Sequence, residues 1–130
     1  MSAILKVQKA LYERLLQDTE IKNKVKGVFD YVKENQKMPF IALGEITATE
    51  YSSKVSKGEE ITQTIYIFSD SKGKKETEEI INITENALDE DITILGYDTY
   101  MSKIDFIEVY NDQGNYICGE MKFKVRVMEV

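Results

Sequence analysis

The stretch Ile61-Thr62-Gln63-Thr64-Ile65-Tyr66-Ile67-Phe68 decides the architecture. Its residues alternate with period two. Thr62, Thr64, Tyr66 and Phe68 share one side and Gln63, Ile65 and Ile67 the other, which is the pattern of a strand lying on a core. Upstream, Phe40 to Tyr51 has the same β-branched and aromatic character, and Pro39 stands at its start, where a missing amide hydrogen disturbs a strand least. These two segments read as a hairpin. Their connection, Ser52 to Glu60, is polar and too long for a tight turn, so the sequence predicts a mobile arm with Val55 as its one apolar residue.

Outward from the hairpin the hydrophobic period changes from two to that of a helix. On the N-terminal side, Ile4, Val7, Leu11 and Leu15 fall on one stripe behind Ser2, a residue able to cap a helix that runs to about Asp18. Asp18 or Thr19 then starts a short second turn, with Gly27 expected as its left-handed terminator. Val28 to Tyr31 reads as extended. On the C-terminal side, Ile80, Ile83 and Ala87 line up beside Ile81, Thr84 and Leu88, predicting a helix over Lys75–Leu88 with an acidic first turn that suits its dipole. Extended structure is expected at Ile92 to Leu95 and again near Ile104 to Tyr110, followed by a turn at Asn111 to Asn115. The last run places Met121, Phe123, Val125 and Val127 opposite Lys122, Lys124 and Arg126. The predicted fold is therefore α+β. It has two layers, a four-stranded, largely antiparallel sheet with two main helices on one face, in the order α-β-β-α-β-β, over one domain spanning residues 1–130.

Composition narrows the chemistry. The 130 residues are 42% hydrophobic and 31% charged, with a net charge of -6, one cysteine and no histidine. An internal disulfide, a Ser-His-Asp or Cys-His centre and a histidine metal site are all excluded. The amphipathic start does not read as a signal peptide, so a cytoplasmic site of synthesis is expected, and no apolar run approaches the ~20 residues of a membrane span. Acid is concentrated in residues 74–112, which hold eleven acidic and three basic side chains, whereas residues 1–43 hold eight basic and five acidic. Such a balance disfavours tight nucleic-acid binding.

Individual groups add little chemistry. Glu78, Glu79, Glu85 and Asp89 to Asp91 lack the spacing of a cation loop, and read as a solvated helix face. Lys122, Lys124 and Arg126 read as a polar or salt-bridged outer strand face. Cys118 has no CxxC partner, and the glycines are isolated, so neither a nucleophile nor a nucleotide loop is expected and no cofactor is predicted. The tyrosines are more telling. Tyr51, Tyr66, Tyr97, Tyr100, Tyr110 and Tyr116 lie in or beside strands, and as a set they point to a surface that meets another protein.

Ala10 to Leu16, Val28 to Tyr31, Met38 to Glu45, Thr64 to Ser69 and the closing Gly114 to Val127 strand occur together in an order that resembles the tail-completion, or tail-terminator, proteins of long-tailed, siphovirus-type phages. The most specific pieces are Pro39-Phe40-Ile41-Ala42-Leu43-Gly44-Glu45 and Gly119-Glu120-Met121-Lys122-Phe123-Lys124-Val125. The resemblance implies a non-enzymatic virion subunit that assembles as a hexameric ring on the head-proximal end of the tail tube. Its implied partners are the major tail tube protein and the head connector, with DNA passing through but not tightly bound and no membrane involved. In such a ring the arm would lie along a neighbour or reach down to the tail tube, with Val55 in a pocket and Lys54 and Lys57 on carboxylates; Tyr51 and Tyr66 complete the expected interface. A head-tail adaptor and a small carboxylate-dependent enzyme are the alternative readings.

Overall fold

The computed structural model describes residues 2–130. Helix α1 (Ile4–Gln17) buries Val7, Leu11 and Leu15 along the expected stripe, while Ile4 is only partly covered. Its start is closed from a distance: Glu59 Oε1 accepts from the Ala3 amide at 2.7 Å and from Ser2 Oγ at 3.1 Å, and Ser2 Oγ accepts in turn from the Ile4 amide. A carboxylate at that position satisfies amides without helical partners and complements the helix dipole. Helix α2 (Thr19–Lys24) is capped by Asp18, whose Oδ1 accepts from the Ile21 amide at 2.9 Å. Gly27 does not take the left-handed conformation; only Gly73, Gly96 and Gly114 do among the glycines. It is needed for space, because a Cβ there would lie 2.5 Å from the Phe29 ring.

Strand β1 (Val28–Phe29) is short and pairs in parallel with β2 (Phe40–Glu50), which runs antiparallel to β3 (Gly58–Ser69). After α3 (Lys75–Ala87) come β4 (Tyr97–Asn111) and β5 (Ile117–Glu129), giving the sheet order β1-β2-β3-β5-β4. The expected α+β class holds, but among the described residues the sheet has five strands rather than four, and the two main helices are joined by the short α2 at the expected helical turn. The added strand is the segment expected to be extended at Val28, which finds the free edge of β2. Ile92 and Ile94 are buried as expected of a strand, but they do so from irregular chain, and the paired strand begins later, at Tyr97.

The helices cover one face. Ile41 and Leu43 of β2, Ile61, Ile65 and Ile67 of β3, and Met121, Phe123, Val125 and Val127 of β5 meet α1 and α3 there in one continuous core. Gly119 lets α3 approach: a Cβ would sit 2.9 Å from Thr77 Cγ2 and 3.1 Å from Ile81 Cδ1. Gln63 is the polar exception in this layer, fully buried opposite a register shift in β2 between Leu43 and Ile46. Its Nε2 donates to the carbonyls of Thr64 at 2.8 Å, Gly44 at 3.0 Å and Glu45 at 3.4 Å. The bulge carbonyls, which lose their ladder partners, are thus satisfied from the core side.

Candidate functional site

The sheet face turned away from the helices is the surface with distinctive chemistry. Because strand side chains alternate, burying Ile65 and Ile67 sends Tyr66 and Phe68 to this opposite face, with the even-numbered residues of β5. One end of it is aromatic. Phe29, Phe40, Phe68 and Tyr116 form a row across the strands, with successive ring centroids 5.9, 5.1 and 5.9 Å apart, and Tyr66 lies 6.1 Å from Phe68. The Tyr66 hydroxyl donates to the Glu45 carboxylate at 2.9 Å, and its ring covers Gly44, where a Cβ would come within 2.3 Å.

Farther along the same strands the face becomes ionic. Arg126 Nε donates to Glu60 Oε2 at 2.9 Å, Lys124 Nζ stands 3.0 Å from Asp105 and 3.8 Å from Glu60, and Lys122 lies over the Phe106 ring. Asp105 holds the Lys124 ammonium above its ordinary pKa through their hydrogen bond. The guanidinium of Arg126 also stacks 4.3 Å from the centroid of Tyr51, tying the network to the hairpin end.

That hairpin end differs from the expected arm. Glu59 and Glu60 belong to β3, paired with Glu50 and Thr49, and the loop is only residues 51–57. The Tyr51 amide donates to the Gly58 carbonyl, the Ser53 amide to the Ser56 carbonyl, and Ser53 Oγ accepts from the amides of Val55 and Ser56, so local bonds shape it. Polarity misplaced the boundary: Glu59 and Glu60 look like loop residues, yet one closes α1 and the other holds Arg126. Lys54 and Lys57 are exposed, Val55 is 93% exposed and Tyr51 48%. These four residues cluster at one end. Tyr66 does not join them, since the eight residues from Gly58 to Tyr66 span roughly 26 Å of strand. The aromatic row was missed as a unit because its members come from four separate segments. Only the placement of Phe68 beside Tyr66 signalled it.

The sequence profile described as "Tail completion protein gp17" matches residues 9–123. This chain belongs to that family. It is thus a phage-tail component, of the kind used in tail completion and virion assembly. No curated protein sequence matches it. Among solved structures, a chain from the virion of a native gene transfer agent particle is similar over 98% of this chain and 99% of its own, at 18% identity and a TM-score of 0.88. The gp17 protein of bacteriophage SPP1 is similar over 98% and 91%, at 24% identity and a TM-score of 0.67. Both likenesses show a shared fold. The family match accounts for the sequence features that carried no chemistry, since a structural tail protein is specified by the shape and polarity of its surfaces.

The one thiol of this tail protein and two of its tyrosines are held above their ordinary pKa values. Burial pushes the Cys118 thiol above its ordinary pKa, so it stays protonated near neutrality. Contact with that thiol, and then burial, raises Tyr110, whose hydroxyl also reaches Glu120 at 3.4 Å. Tyr66 is pushed up to about 12, first by burial and then by its hydrogen bond to Glu45. Of the helix acids, Glu76 accepts from Ser69 Oγ and Glu79 pairs with Lys24, both structural contacts. Among the described residues no three Asp, Glu or Cys side chains converge on a point where a metal ion would sit.

Proposed function

We propose that this chain, acting as one unit over its 130 residues, completes the tail by closing the head-proximal end of the tube as a hexameric ring. Tube growth stops at the ring, and its outer surface receives the head connector. The observation that carries this reading is the family match over residues 9–123. Two physical features support it. A helix-free sheet face with an aromatic row at one end suits extensive protein contact, and the net charge of -6 lets DNA pass a ring without gripping it. The protein has a structural rather than catalytic role: it lacks histidine and its one thiol is protonated. It assembles in the host cytoplasm and ends in the virion.

The exposed loop is the contact to the neighbouring subunit or tube, through Lys54, Val55 and Lys57, with Tyr51 fixing its base against Arg126. Tyr66 belongs to a second contact zone at the aromatic end. The experiment is assembly without the protein: tails made in its absence should be overlong and unable to join heads, and adding it back should restore both. Tails of normal length that fail only at head attachment would favour the head-tail adaptor role instead.

A further inference from the structure

The two ends of the sheet are unlike in charge and alike in being open. At one end β4, the longest strand with fifteen residues, is paired only on its inner side with β5. Its outer edge has no partner among the described residues, and it exposes Tyr100, Phe106 and Ile107 at 52%, 40% and 44%. A long edge with apolar flanks is a surface that soluble proteins cover. At the other end β1 pairs with only Ile41 and Ala42, which leaves the outer edge of β2 from Leu43 to Glu50 open.

Charge then selects the cover. Residues 89–112, which lead into and form β4, hold seven acidic and one basic side chain, whereas residues 22–37, around β1, hold five basic and two acidic. Lys22, Lys26, Lys33 and Lys37 are exposed and make no ion pair among the described residues, and the same is true of Asp98 and Glu108 on β4. Two copies meeting β4 to β4 would set acid against acid. A copy meeting the next head to tail sets the acids of β4 against the lysines beside β1, with Glu45 and Glu50 on β2 as acidic exceptions, and a repeated contact between unlike surfaces is what closes a ring.

We infer that the β4 edge of one copy docks on the lysine-bearing β1-β2 end of the next copy. This assigns the surfaces of the ring proposed above and rests on that reading. The test uses the full chain in four forms: wild type, Asp98→Lys with Glu108→Lys, Lys33→Glu with Lys37→Glu, and all four changes together. Circular dichroism checks that each is folded, and sedimentation and native mass spectrometry read assembly, with rings on tail tubes scored alongside. Each two-residue reversal should raise the concentration for half-assembly roughly tenfold or more. Combining the four changes should restore assembly to within about threefold of wild type, since attraction is regained with the signs exchanged. An equimolar mixture of the two reversed forms should also assemble, as rings that alternate. If wild type forms rings and the reversals leave them unchanged, or neither the combination nor the mixture restores them, this docking is wrong and the ring reading stands. A wild-type chain found as single copies in solution and on tails would remove both.

Discussion

Gln63 offers the sharpest test of how the sheet is built. Its fully buried amide donates two short hydrogen bonds, to Thr64 and Gly44, and a longer one to Glu45, while its Oε1 has no partner. Replacing it with leucine removes two bonds of about 1 kcal/mol each and strands the bulge carbonyls, but it also removes the orphaned Oε1, so Gln63→Leu should cost about 1–2 kcal/mol. Gln63→Glu is nearly isosteric and should be worse. The new carboxylate would be buried facing carbonyl oxygens, which raises its folded pKa above the unfolded value of about 4.3. A raised pKa means the penalty is least below about pH 4 and grows by about 1.4 kcal/mol per pH unit until the folded pKa is reached. A three-unit shift would remove about 4 kcal/mol, a large part of the ~5–15 kcal/mol typical of a domain. Urea unfolding followed by circular dichroism between pH 4 and 7.5 measures this. Gln63→Glu tracking the wild-type pH profile, or proving more stable than Gln63→Leu at pH 7, would refute the donor role.

Tyrosine absorbance during an alkaline titration should show Tyr66 ionising late, near pH 12; its neutral phenol contributes stability that is intact below pH 10 and lost as pH rises through about 12. Glu45→Gln should move that ionisation toward pH 10, and an unchanged titration would contradict the assigned hydrogen bond. Gly119→Ala should cost about 1–3 kcal/mol in thermal or urea unfolding because α3 must move off the sheet, and wild-type stability would show that Thr77 and Ile81 do not pack there. Replacing residues 53–56 with Asn-Gly should keep the fold, provided Gly58 is retained, since a Cβ there would lie 2.1 Å from Met128 Sδ. Tails assembled with the shortened chain should be overlong, and normal-length tails would show that the loop is dispensable.

What the sequence made legible is the part governed by period. Val7, Leu11 and Leu15, the alternation at Ile61–Phe68 and the four inward residues of β5 all bury where their spacing places them. What it concealed depends on contacts distant in the chain. Glu59 looks like loop and serves as the cap of α1, Gly27 looks like a terminator and makes room for a ring, and β4 carries little alternation because an edge strand is exposed on both faces. Resemblance pointed to the right family from structural signatures. The residues proposed for the interface were less legible: Tyr51 stacks on Arg126 from seventy-five positions away, a pairing set by register alone.

Cryo-electron microscopy of tails assembled with this protein tests the central claim most directly. The account predicts density for a ring of this fold at the head-proximal end of the tube and nowhere else; copies distributed along the tube, or tails that end normally without the protein, would contradict it.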